Sequence, residues 1–200
     1  MNRNLYMAAI ISYGIALVFM FFWIFNNLVG GLAFNEFTTH PDLVVVDWVI
    51  MILCELLLLK YFHAKKYKVA FVTSLISMIT FMVLYTSVFS FYKGIGSGEL
   101  INLFVSVHLV AAITFSVGLV LSKASKQKIL KLAGALGIVL GSIVLLTHIY
   151  GLNLAKGETL NLILAIQLWT SRFGDALILI FLILNFYQEI KHEQRMILSS

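Results

Sequence analysis

Residues 5–29 read LYMAAIISYGIALVFMFFWIFNNLV, an apolar run without a single charged side chain. An α-helix rises about 1.5 Å per residue, so a run of this length exceeds the roughly 30 Å hydrocarbon core of a bilayer. The run follows only Met1–Asn4, and it shows no small-residue cleavage site of the kind that ends a signal peptide. It therefore predicts a retained membrane-spanning helix.

Five further apolar runs qualify as spans by the same measure. The whole chain is 61% hydrophobic and only 12% charged, whereas soluble domains carry about 25% charged residues. The connections between the runs are too short to hold another domain. We therefore predict an all-α polytopic membrane protein, a single bundle of six transmembrane helices within residues 1–200. The five further runs lie at about residues 43–62, 69–92, 100–121, 129–150 and 160–187.

Basic residues alternate between the two sides of this predicted bundle. Eleven of them precede helix one, follow helix six, or lie in and beside the 2–3 and 4–5 connections, whereas the other connections hold two, Lys93 and Lys156, beside acidic residues such as Glu36. The positive-inside rule then predicts that both termini are cytoplasmic, in a plasma or bacterial inner membrane. It also explains the net charge of +5 without nucleic-acid binding. The eleven residues are Arg3, Lys60, Lys65, Lys66, Lys68, Lys123, Lys126, Lys128, Lys131, Lys191 and Arg195.

Ionisable residues inside the predicted helices mark a candidate site, because charges in a bilayer are costly and usually face a protein interior or a water cavity. Counted from the outer end at about 1.5 Å per residue, Glu55 and Arg172 both lie about 18 Å deep and could pair. Arg172 and Asp175 are three residues apart on one helix, so a purely structural pair is the alternative. The predicted ion or solute site, at the meeting of helices two and six, comprises Glu55, Arg172, Asp175, Asp47, His108, Gln167 and Tyr85.

His108 has three interpretations: a hydrogen bond between helices, a proton relay, or a haem ligand. The best second haem ligand is His148, but the two residues differ in depth by roughly 9 Å, which disfavours bis-histidine haem b. Cys54 is the single cysteine, and no CxxC or HExxH pattern occurs. We therefore expect neither a metal site nor another cofactor.

Helix five carries small residues at every fourth position. Ala133, Gly137 and Gly141 form a small-xxx-small stripe, which lets another backbone approach closely. The stripe predicts tight packing against a helix of the same chain, a second copy or another membrane subunit.

These features support two main hypotheses about function. The first is that an outward-opening polar cavity moves a proton, an ion or a small solute across the membrane. The second is that the chain is a non-catalytic subunit or accessory protein of a larger membrane complex, since it is small and lacks large loops. A membrane redox protein that uses haem or a quinone at His108 ranks behind both, and an enzyme is not favoured because no nucleophile or metal constellation is apparent.

Overall fold

The computed structural model describes residues 3–31, 39–95, 97–121, 128–153 and 158–199. Every described element is an α-helix. Four charged residues used above to predict orientation, Glu36, Lys123, Lys126 and Lys156, lie outside the described residues. The helices are α1 (Arg3–Gly30), α2 (Pro41–Ala64), α3 (Lys68–Tyr92), α4 (Gly98–Leu121), α5 (Lys128–Asn153) and α6 (Glu158–Ser199).

Two helices end in the same kind of hydrogen-bonded turn. After α3, Gly94 adopts a positive φ of 77°, and the Ile95 N–H donates to the Ser90 carbonyl at 2.9 Å. After α2, Lys66 takes the equivalent position with a φ of 59°, and the Tyr67 N–H donates to the Phe62 carbonyl at 2.9 Å. Both turns satisfy carbonyls that a helix end leaves unpaired, as in the Schellman motif. The second turn makes α2 and α3 a tight antiparallel hairpin.

The six helices form a closed ring. Among the described residues, the close backbone contacts run from each helix to the next along the chain, and α6 returns to pack against α1. Because successive helices alternate in direction, Arg3, Lys65, Lys68 and Lys128 lie at one end of the ring, together with the last turns of α6. We call this the lysine-rich end.

Helix α1 shows how the ring is built. Its buried side chains recur every three or four residues along one face, and its opposite face is apolar yet exposed. Ile11, Val18 and Phe25, each seven residues apart, are 57%, 67% and 63% exposed. Such a continuous exposed apolar surface suits lipid rather than water. The buried side chains are those of Tyr6, Ala9, Ser12, Tyr13, Ala16, Met20, Trp23, Ile24 and Asn27.

Five of the helices are long and apolar enough to cross a membrane, namely all except α2. Helix α2 has sufficient length, at 24 residues, but it carries Asp42, Asp47, Glu55 and Lys60. Helix α6 has 42 residues and continues to Ser199, twelve residues beyond the predicted boundary at 187. Its apolar character falls after Tyr187, but Ile190 is still buried, so one face keeps packing where the polar residues begin.

Gly137 and Gly141 of the small-xxx-small stripe, together with the neighbouring Gly134, face α4 of the same chain. A Cβ atom at Gly134 would lie 2.7 Å from the Ser116 carbonyl oxygen of α4, and one at Gly141 would lie 2.9 Å from Ile113. Gly137 likewise faces the Ser116 side chain, and Ala133 is buried on the same helix. Among the described residues, these glycines therefore lie against α4 of the same chain.

Candidate functional site

Two adjacent cavities lie inside the ring, each lined by side chains of several helices. The outer cavity has a volume of about 510 Å³ and reaches Asn27 of α1 and Leu164 of α6, near the end opposite the lysines. The inner cavity has a volume of about 170 Å³ and extends toward the lysine-rich end. Phe81, His108 and Asp175 line both, so they form the junction between them.

Most of the predicted site residues line these cavities. Glu55 lines the inner cavity, whereas Gln167, Tyr85 and Arg172 line the outer one. Side chains of all six helices contribute to the two linings. The site is therefore wider than the interface between helices two and six that the sequence predicts.

The two carboxylates of the axis have hydroxyl partners. Ser74 of α3 donates to Glu55 Oε2 at 3.3 Å. Ser171, one turn before Asp175 on α6, donates to Asp175 Oδ2 at 3.4 Å. These are long hydrogen bonds, so each carboxylate keeps capacity to accept further ones.

His108 is anchored by the helix before it. Its Nδ1 lies 3.1 Å from Thr80 Oγ1, and the Thr80 hydroxyl lies 2.9 Å from the Ser77 carbonyl oxygen to which it donates. A hydroxyl has one proton, so when Thr80 donates to Ser77, Nδ1 of a neutral His108 is the donor to Thr80 and Nε2 is left as an acceptor. This arrangement suits a group that holds or relays a proton.

His148 sits at a different level from His108. Its Nε2 lies 3.4 Å from the Asn102 carbonyl oxygen of α4, and Asn102 precedes His108 by six residues, or about 9 Å along the helix. The depth separation that disfavours a shared haem iron is therefore present in the fold. Bis-histidine haem stays an untested alternative.

Asp47 belongs to a helix seam and is not among the residues that line the two cavities. Its Oδ2 accepts a hydrogen bond from Trp23 Nε1 of α1 at 2.9 Å. About two turns further along α2, the Tyr13 hydroxyl donates to the Cys54 carbonyl at 3.1 Å. These two polar groups of α2 are thus turned toward α1.

Aromatic side chains from several helices pack together inside the ring near its lysine-rich end. Tyr61 and Phe186 meet edge to face with ring centroids 5.3 Å apart, and Tyr6 lies 6.3 Å from each of them. Phe62 is 6.3 Å from Phe115, which also lines the inner cavity. We call these five residues the aromatic floor, because they pack together on the side of the inner cavity nearest the lysine-rich end.

An ion pair lies beneath this floor. Lys65 Nζ donates to Glu189 Oε2 at 2.6 Å, and the Tyr61 hydroxyl donates to Glu189 Oε1 at 3.1 Å. Burial raises the pKa of the neighbouring Tyr67 hydroxyl, an effect that the Lys65 ammonium opposes and the Glu189 carboxylate reinforces. The connection after α2 is thereby tied to α6.

The floor residues were not predicted as a site, although one signal was present. Asp175, Leu182 and Glu189 are spaced by seven residues, which places them on one face of α6. Asn185, on the flank of that face, is 1% exposed, and its amide atoms have no hydrogen-bond partner among the described residues. Following the periodicity past residue 187 would have revealed the inward face of the last turns.

Comparison with protein families, with curated proteins and with solved structures gave no match. What the site can do chemically follows from its own groups. Two carboxylates, a guanidinium and an imidazole line a space wide enough for several water molecules, each of which occupies about 30 Å³ in the liquid. Such groups can exchange protons with water or attract a charged solute.

Proposed function

We propose that this chain is a membrane transport protein that moves a proton, an ion or a small solute through its central cavities. The observation that carries the proposal is an axial space lined by Glu55, Asp175, Arg172 and His108 inside a ring whose outer surface is apolar. Ionisable groups in a bilayer are energetically costly, so their presence around an internal space favours a function that uses them over a purely structural role.

The proposal includes six spans, with α2 as the sixth, in the plasma or bacterial inner membrane. The charges that set α2 apart support this, since Asp47 contacts Trp23 and Glu55 contacts Ser74, both on neighbouring helices. We place the lysine-rich end in the cytoplasm, as the positive-inside rule predicts. The outer cavity then faces outward, and the aromatic floor separates it from the cytoplasm.

One argument for the membrane-subunit hypothesis is weakened by the structure. It drew on the glycine stripe of α5, and that stripe is filled by Ile113 and Ser116 of α4. Lipid accounts for the exposed apolar faces of the ring without a partner subunit. We therefore propose transport as the function.

Flux through the cavities can be measured with purified protein in liposomes that contain a pH dye. Under a proton or solute gradient we expect Asp175→Asn and Glu55→Gln to lower the flux by about tenfold or more, since each removes a charge from the lining. Asp42→Asn is the matched control, because Asp42 is an exposed carboxylate in the first turn of α2. If folded Asp175→Asn and Glu55→Gln carry flux at the level of the control, transport through this site is wrong.

The orientation can be tested in intact cells. Cys54 is the single native cysteine and is buried, so a new cysteine at an exposed position can be labelled selectively. We expect a membrane-impermeant maleimide to label Lys93→Cys and to spare Lys68→Cys until the cells are opened. The opposite pattern would place the lysine-rich end outside.

A further inference from the structure

The walls of the inner cavity define the kind of solute that fits it. We propose that this cavity binds a monovalent organic cation, a protonated amine with a compact apolar body. The inference rests on the proposed function, because it names the class of solute that the cavities would carry.

The charges of the lining favour a single positive charge. Glu55 and Asp175 line the inner cavity, and its described lining residues include neither lysine nor arginine. Arg172 lines the outer cavity, within one turn of Asp175 on α6. With both carboxylates ionised, the two carboxylates and the Arg172 guanidinium leave one negative charge over, which a monovalent cation neutralises.

The hydrogen-bonding groups of the lining are mainly acceptors. The Ser116 hydroxyl donates its proton to the Ala112 carbonyl at 2.9 Å, so its lone pairs are what it can offer to a solute. In the neutral tautomer whose Nδ1 donates to Thr80, Nε2 of His108 is also an acceptor. Within the described part of the chain, Glu55 accepts one hydrogen bond, from Ser74, and forms no ion pair. An ammonium group supplies the donors that these acceptors need.

The rest of the wall is apolar and aromatic. Phe81 and Phe115 line the inner cavity together with Leu179 and Leu182. Aromatic faces attract organic cations, whereas a bare calcium ion requires about six to eight oxygen ligands. The volume of about 170 Å³ resembles that of an engineered cavity of roughly 150 Å³ that binds benzene. A six-membered ring with one ammonium group is therefore of suitable size.

Four solutes with the same six-membered ring separate charge from shape: cyclohexylammonium, cyclohexanol, cyclohexanecarboxylate and the zwitterion 1-aminocyclohexanecarboxylate. Their binding to the full chain in mild detergent can be measured by titration calorimetry. We expect cyclohexylammonium to bind about tenfold or more tightly than each of the others, a difference of about 1.4 kcal/mol. Equal or tighter binding of the alcohol, the anion or the zwitterion would overturn the inference, as would displacement of the amine by equimolar sodium or potassium.

Variants then locate the site. Glu55→Gln should weaken cyclohexylammonium binding by about tenfold, because it removes a charge-assisted hydrogen bond, and it should leave cyclohexanol binding unchanged. Asp42→Asn should alter neither. Unchanged amine binding in folded Glu55→Gln would place the amine elsewhere and overturn the assignment.

The liposome assay distinguishes this inference from the proposed function. Amine binding at Glu55 without any flux would refute transport and leave the cation site standing. Flux that depends on Glu55 and Asp175 but shows no preference for the amine would refute only the cation assignment.

Discussion

The ion pair beneath the aromatic floor gives a sharp test of how the ring is held closed. Lys65→Met keeps most of the length of the side chain and removes its charge. Glu189 would then remain as a buried carboxylate, 4% exposed, with the Tyr61 hydroxyl still donating to it at 3.1 Å. The substitution therefore measures what the Lys65 ammonium contributes to the stability of this buried carboxylate.

The magnitude follows from the burial of each partner. Breaking a fully buried ion pair costs about 3–5 kcal/mol, and exposed pairs contribute less than about 1 kcal/mol. The Lys65 side chain is 32% exposed, so water screens part of the interaction. We expect Lys65→Met to lower the free energy of unfolding by about 2 kcal/mol, with about 1 kcal/mol restored when Glu189→Gln is added.

Unfolding can be followed by titrating the protein in mild detergent with SDS and recording tryptophan fluorescence. Lys68→Met serves as the control, because Lys68 is exposed at the start of α3. If Lys65→Met and Lys68→Met unfold at the same SDS fraction, the pair contributes nothing and the floor is held by packing alone.

Two further substitutions test packing with the same titration. Gly134→Ala should lower the unfolding free energy by about 1–3 kcal/mol, because its Cβ would lie 2.7 Å from a backbone oxygen of Ser116. Gly14→Ala is the control: its Cβ would meet nothing within 4 Å, so it should be neutral or stabilising. Equal effects of the two substitutions would show that α5 and α4 are not in tight contact. Asn185→Ala should change stability by less than about 1 kcal/mol, because the amide has no described partner, whereas Leu182→Ala should cost about 2 kcal/mol or more. A loss of similar size at Asn185 would mean that its amide is hydrogen-bonded.

The helices could be predicted because an apolar run long enough to cross a bilayer has a single stable backbone conformation there. The six runs correspond to α1–α6, and each helix begins one or two residues before its run. The observed end of α6 lies beyond the predicted one, because hydropathy indicates only which residues suit lipid. A helix can continue into polar sequence as long as one of its faces packs against other helices. Ile190 finds such a partner beyond the predicted end at 187.

The site was only partly predictable, since residue counting gives the depth of a side chain but not its neighbour. Residue counting places Glu55 and Arg172 at the same depth in the membrane. In the structure, however, Glu55 accepts its hydrogen bond from Ser74 on α3, while Arg172 lines the other cavity. Asp47 appears as one more buried charge, but it contacts Trp23 in the α1–α2 seam. Ring order decides these partners, and that order comes from packing between helices distant in sequence.

The closed ring also sets the order of events during biosynthesis. Tyr61 and Glu189 are 128 residues apart, so their hydrogen bond waits until most of the chain has been translated. Before α6 emerges, the first five helices can form only an open crescent, and Glu55 and His108 on its inner wall are not yet screened from acyl chains by the last helix. During synthesis we therefore expect a stage in which the polar side chains of the cavity wall are exposed. The packing of α6 against α1 and α5 ends this stage.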